Sequence, residues 1–230
     1  MNENKRKVAL VSPTDDHTKE VIQRAIDDDV AQFECFYGED ASAMAVECVR
    51  SGGAALLMKG AVNTDVLLRA ALDKEHGILQ PGRVMTHISV ANIPGWQRPL
   101  IFSDAAVIPH PDILQMDAIV RYTVEAARNL GIATPKVALI NFTEKENPKF
   151  PQTAVYQEIR CRAAEGLYGD VVIGGPMDVK TALDSESGTI KGIDSPVVGN
   201  ADILIFPNIE AGNTFYKTLT LFAHATIAGW

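Results

Sequence analysis

The sequence predicts an α/β protein with a three-layer α/β/α, two-lobe architecture and mostly parallel sheets. Three observations carry this. Strand-like and helix-period segments alternate almost from end to end, which argues for helices packed over a parallel sheet. Apolar runs such as Ile203 to Phe206 are unbroken, as in strands covered on both faces. Two short strand-like runs flank the turn Ile93-Pro94-Gly95-Trp96, and so close a connection permits an antiparallel hairpin.

Lys7 to Val11 reads as the first strand. Asp16 to Asp28 follows as a helix, with Val21, Ile22, Ala25 and Ile26 at helical spacing. A strand over 32–36, a helix over 41–50, a strand over 54–58 and a helix from Asn63 to about Leu72 continue the alternation. Strands are expected over 83–90 and 99–102. A long helix over 113–130 is stopped by Gly131. Then come a strand over 136–140, a helix over 152–165, strands over 171–173 and 201–206, and a closing helix over 213–227. The long helix after Asp112 reads as the hinge. The expected lobes are 1–112, joined by the C-terminal helix 213–230, and 113–212. Asp184 to Gly188 is the most loop-like stretch and is expected to be mobile.

The net charge of −8 argues against nucleic acid or an anionic membrane as partner, since both need concentrated positive charge. Cys35, Cys48 and Cys161 are odd in number and far apart, which suits reduced thiols in a cytoplasmic protein. The apolar run Val8 to Val11 ends at Ser12-Pro13, too short for a signal peptide or a membrane span. The histidines show no metal-ligand spacing, and no metal is expected.

Four constellations carry chemistry. At Lys59-Gly60-Ala61-Val62-Asn63-Thr64 a strand ends, glycine opens a turn and a helix begins. Helix N-termini attract anions, and Lys59 adds a charge; simple capping by Asn63 or Thr64 is the alternative. His87 with Ser103 and Asp104 places an imidazole and a carboxylate near a shared strand end, where a carboxylate can orient the ring. Asn141 and Glu144 leave the strand over 136–140 as one wall of a cleft, or as a solvated loop. After the strand over 201–206 stand Asn208, Glu210 and Asn213, with Gly212 allowing close backbone approach. Such strand-end loops are where open α/β sheets bind ligands.

These segments resemble, in order, the motifs of the phosphate acetyltransferase and phosphate butyryltransferase family. L-M-K-G-x-x-x-T lies at Leu57 to Thr64, T-H-I-S-V at Thr86 to Val90 and S-D-A-A at Ser103 to Ala106. P-K-V-A-L at Pro135 to Leu139, E-x-x-N-P at Glu144 to Pro148, G-x-A-D-I-L at Gly199 to Leu204 and A-G-N-x-x-Y-K at Ala211 to Lys217 complete the series. The likeness covers the chain from about residue 40 onward and is nearer the butyryl-type branch.

The resemblance implies two α/β lobes like those of isocitrate and isopropylmalate dehydrogenases. It implies transfer of a short-chain acyl group between coenzyme A and phosphate: acyl-CoA plus phosphate gives acyl phosphate plus CoA. Coenzyme A is then a substrate, with no permanently bound cofactor, and a homodimer is expected. Lys59, Asn63, Thr64, Ser103, Asn141, Asn213 and Lys217 are candidates for substrate binding. His87, Asp104 and Glu144 are the catalytic candidates. Two departures stand out. The family's S-R-x-D-like segment is not found, and the chain is expected to end at Ala228-Gly229-Trp230 just before a strand. Lys180 stands where the family's pattern has an aspartate, with Asp178 two residues earlier. The rival reading is a family member, impaired or without turnover, that binds CoA or a phosphorylated ligand. A dehydrogenase of related fold would need clustered aspartates and arginines, which the sequence lacks.

Overall fold

The computed structural model describes residues 6–229. It divides into two compact units, Met1–Arg83 and Val84–Trp230. In the first, β1 (Arg6–Val11), β2 (Ala31–Phe36) and β3 (Leu56–Lys59) alternate with α1 (Asp16–Asp27), α2 (Ala41–Arg50) and α3 (Thr64–Ala71). The strands are all parallel, in the order β2-β1-β3. Alternate residues Ala9 and Val11 of β1 face Ala41 and Ala45 of α2 and Leu67 of α3 in one apolar cluster. The small side chains of α2 suit close helix-on-sheet packing.

The second unit holds β4 (Ser89–Asn92), β5 (Leu100–Ser103), α4 (Ile113–Asn129), β6 (Lys136–Ile140), α5 (Pro151–Ala164) and β7 (Val172–Met177). Then come α6 (Val179–Leu183), α7 (Ser185–Lys191), β8 (Ile203–Ile205), α8 (Ile209–Phe222) and β9 (Thr226–Gly229). The sheet order is β7-β6-β8-β5-β4-β9. The first four strands are parallel, and β4 runs antiparallel to β5 and β9. The pleat sorts side chains to two faces. Ile101, Val137, Leu139, Ile203 and Ile205 join Met116, Ile119, Tyr156 and Ile159 of α4 and α5. Phe102, Ala138, Ile140 and Leu204 join Ala182 of α6 and Leu219 of α8. Helices therefore cover both faces, which explains why the central strands read as unbroken apolar runs.

Several expectations change. The strand expected over 83–90 forms only at Ser89–Asn92, because residues 86 and 87 bond the Asp104 carboxylate instead of a neighbouring strand. The strand expected over 201–206 is Ile203–Ile205; the Asp202 carboxylate beside it binds Arg98 and the Lys136 amide. The closing helix starts four residues early, at Ile209, where Asn208 caps the Ala211 amide at 2.9 Å. It ends at Phe222, and Thr226–Gly229 pairs with β4, so a strand does follow that helix. The loop expected over 184–188 is mostly α7, capped by Asp184 and closed by Gly192 in the left-handed region at φ 65°. The boundary expected at residue 112 falls inside the second unit, because β4 and β5 belong to the sheet of β6 and β8. The last residues of the expected 213–230 segment pair there too; Trp230 and residues 1–5 lie outside the described residues.

Candidate functional site

Strand order locates the site in the second unit. After β6 the chain crosses to β7 on one side, and after β8 it turns through α8 towards β9 on the other. Adjacent strands whose connections diverge open a crevice at their carboxyl ends. A cavity of about 670 Å³ lies there, lined by Asn141 and Phe142 beyond β6, Asp178 and Lys180 beyond β7, and Phe206 and Phe215 around the start of α8. Phe206 and Phe215 pack at 5.1 Å between ring centroids. The wall is mainly apolar with a few polar groups, as in small-molecule sites.

Asp104 organises the neighbouring strand end. It is 2% exposed, and its carboxylate accepts from five donors: the Thr86 hydroxyl at 2.7 Å and the amides of His87, Ala106, Val107 and Ile108 at 2.8–3.3 Å. These bonds tie the segment before β4 to the turn after β5. Ser103, fully buried, meets the Thr86 hydroxyl at 3.2 Å. The expected orienting pair is therefore different. Asp104 holds the His87 backbone, whereas the His87 ring meets the Ser89 hydroxyl at 3.2 Å through Nδ1. Burial pushes the His87 pKa down, and the Asp104 charge offsets this in part. A neutral imidazole follows, with one ring nitrogen able to accept a proton.

The start of α8 docks against the same turn. A Cβ on Gly212 would fall on the Asp104 carbonyl oxygen, so glycine alone lets the helix sit so close. The Asn213 side chain donates to the Ala105 carbonyl at 3.0 Å and fastens that contact. Lys217, one turn on, is exposed and lies 5.0 Å from the Tyr216 ring centroid. Asn141 is 8% exposed, and its side-chain oxygen accepts from the Phe142 amide.

Glu144 is not a free carboxylate. Lys191 bridges it to Asp178, linking the loop after β6, the cap of α6 and the end of α7. Burial pushes the Asp178 carboxyl up, but Lys191 and the Thr181 amide outweigh it and hold the pKa at about 2. Lys180 lines the cavity, and its side chain makes no ion pair or hydrogen bond among the described residues. The sequence reading missed Lys191, Thr86 and Ser89 as site residues. Thr86 and Ser89 stand in the T-H-I-S-V motif, and the Asp184 cap with Gly192 marked the helix that carries Lys191.

In the first unit the corresponding switch point lies between β1 and β3. Lys59 ends β3, and its ammonium donates to the Gly60 and Val62 carbonyls at 3.1 and 2.9 Å. Asn63 caps α3 by accepting from the Asp65 amide, and Thr64 opens the helix. Both are exposed. Lys59, Asn63 and Thr64 are thus near one another in the chain of the first unit, while the remaining candidates belong to the second unit.

A family model described as Phosphate acetyl/butaryl transferase matches residues 5–229. The chain belongs to this phosphate acetyl/butyryl transferase family. It is 33% identical to the phosphate acetyltransferase of Thermotoga maritima, over 97% of this chain and 84% of that protein. It is 39% identical to the phosphate butyryltransferase of Clostridium acetobutylicum, over 78% of this chain and 60% of that protein's length. The fold is similar to that of a branched-chain phosphotransacylase from Enterococcus faecalis V583, with a TM-score of 0.82, 26% identity, and coverage of 97% of this chain and 87% of that one. The isolated motifs of this phosphate acyltransferase family thus become one continuous relationship.

Proposed function

We propose that this chain moves a short-chain acyl group between coenzyme A and inorganic phosphate. The observation that carries the reading is the chain's membership of this family, supported by the cavity at the diverging ends of β6 and β8 and by a half-buried His87 whose pKa burial lowers. In the direction of acyl phosphate formation, phosphate attacks the thioester carbonyl and CoA leaves as the thiolate. In reverse, the thiolate is the nucleophile. His87 takes the thiol proton in that direction, since a neutral imidazole near its working pH suits general base catalysis. Asp104 positions the backbone around His87, and its five accepted bonds argue against a role as the base. Glu144 acts through Lys191.

Within the first unit, Lys59 and the α3 start at Asn63 and Thr64 suit an anion such as phosphate, through charge and backbone amides. Ser103, Asn141, Asn213 and Lys217 bind or frame the acyl-CoA. The protein is cytoplasmic and assembles as a homodimer; Ile190, Leu221 and Phe222, each at least 66% exposed, offer apolar surface for association. No described helix is long and apolar enough to cross a membrane.

A second reading is favoured by the full engagement of Asp104 and Glu144: a protein that binds CoA without turnover. Release of CoA thiol from butyryl-CoA separates the two. Phosphate-dependent release that falls at least about 100-fold in His87→Gln supports the first reading. Saturable CoA binding in calorimetry without release supports the second, and neither binding nor release removes both.

A further inference from the structure

We propose, on the acyl-transfer reading above, that the acyl group taken by this site ends in a second carboxylate, so that the substrate class is a short-chain dicarboxylic acyl-CoA. The place concerned is the cavity of about 670 Å³ beyond β6, β7 and the start of α8. Phe206 and Phe215 give it an apolar wall, which fits the methylenes of any short acyl chain. The polar groups beside them decide what the chain carries at its far end.

Two of those groups are nitrogens without a partner. Asn141 is 8% exposed, and its side-chain oxygen accepts from the Phe142 amide at 2.8 Å. That bond fixes the orientation of the side-chain amide and leaves its NH2 group as the free end. The NH2 group has no hydrogen-bond partner among the described residues. It is not sealed off either: its nitrogen keeps accessible surface, and Asn141 lines the cavity. Lys180 lines the same cavity and is exposed, so it stands at the rim as a charge still to be matched.

Among the described residues the lining holds one carboxylate, Asp178, and both of its oxygens are engaged. Oδ1 accepts from the Thr181 amide at 2.7 Å, and Oδ2 takes the Lys191 ammonium. Asn141 and Lys180 are left with N–H donors only. An amine would find no acceptor in them. An unsubstituted acyl chain would cover the Asn141 amide and leave it unpaired, which costs affinity. A carboxylate carries acceptors alone and answers both nitrogens, while its methylenes lie on the two phenylalanines. The transfer itself is unchanged, because the far carboxylate takes no part in the bonds that form and break. Inorganic phosphate and the phosphates of CoA are the competing anions for Lys180.

The test compares glutaryl-CoA, its monomethyl ester and butyryl-CoA on the full chain near neutral pH. Affinity is read by calorimetry without phosphate, and turnover by phosphate-dependent release of CoA thiol, with the enzyme-free rate subtracted. Glutaryl-CoA should bind at least about tenfold more tightly than either neutral thioester, with a matching advantage in kcat/KM. Lys180→Met should collapse that preference, and Lys180→Arg, which keeps the charge, should retain it. The residue is exposed, so the urea midpoint should stay where it is in both variants. Equal weakening of all three thioesters in Lys180→Met would assign the lysine to CoA, and a raised KM for phosphate alone would assign it to the acceptor; either overturns the proposal. Release from butyryl-CoA with no preference for glutaryl-CoA overturns it and leaves the acyl-transfer reading standing. Tightest binding of glutaryl-CoA with no release from any thioester removes the transfer and keeps the carboxylate site. No binding of any of the three overturns it.

Discussion

Asp104 shows how one side chain can define a strand end. Four backbone amides and a hydroxyl converge on its carboxylate. Asp104→Ala leaves those amides without a partner in a buried turn, and bonds to a charged group contribute about 1.5–3 kcal/mol each. A loss of about 3 kcal/mol or more in urea unfolding is expected; a loss within about 0.5 kcal/mol, the range of a neutral surface change, would contradict the hub assignment. His87 makes a second, pH-dependent prediction. Its folded-state pKa lies below the ordinary 6.5, chiefly through burial. The neutral ring therefore contributes stability that is fully present above about pH 6.5 and is lost as pH falls through the folded-state value. The urea midpoint should drop between neutral and mildly acidic pH, and the drop should shrink in His87→Gln. The identity of both residues was visible in the sequence. Their relation was not, because Asp104 bonds the His87 backbone while Ser89 takes the ring, and only pairing of β4 with β5 sets that.

At the scale of elements, α8 depends on Gly212. A Cβ there meets the Asp104 carbonyl, which is backbone and cannot swing aside. Gly212→Ala should force α8 outward and cost about 1–3 kcal/mol, as overpacking does, with weaker CoA binding through the displaced cavity wall. An unchanged melting temperature would show that the helix does not pack so closely. The second element-scale case is Lys191, which α7 brings to Asp178 and Glu144. Asp178 titrates at about 2 instead of 3.8 in the fold. Its contribution is fully present above about pH 4 and is lost as pH falls through about 2. Lys191→Met should therefore be destabilised relative to the parent near neutral pH, and the difference should narrow at strongly acidic pH. Hydrogen exchange of the loop after β6 should rise in the same variant.

For the whole molecule, CoA binding and assembly are the measurable consequences of the proposed function. At about one hundred times its dissociation constant, a ligand specific for the folded state adds roughly 2.7 kcal/mol of stability. Coenzyme A should raise the melting temperature accordingly; no shift at millimolar CoA would count against both readings. Sedimentation at micromolar concentration should show a dimer, and replacing Leu221 and Phe222 by serine should shift it towards monomer. A monomeric parent protein would remove the proposed use of that apolar surface.

The alternation of strand and helix, the helix over 113–129 and the strand over 136–140 were all legible in the sequence, because periodicity and capping act over a few neighbouring residues. The hairpin at Ile93 to Trp96 was legible for the same reason. Folding in three dimensions settled what depends on distant partners. It delayed the start of the strand expected over 83–90 to Ser89, since Asp104 claims the Thr86 hydroxyl and the His87 amide. It turned the residues after Phe222 into β9, since the edge of β4 offers hydrogen bonds that a continued helix would leave unpaired. It also joined Glu144, Asp178 and Lys191, separated by up to 47 residues in the chain, because parallel strands bring their carboxyl ends together whatever the length of the connection between them.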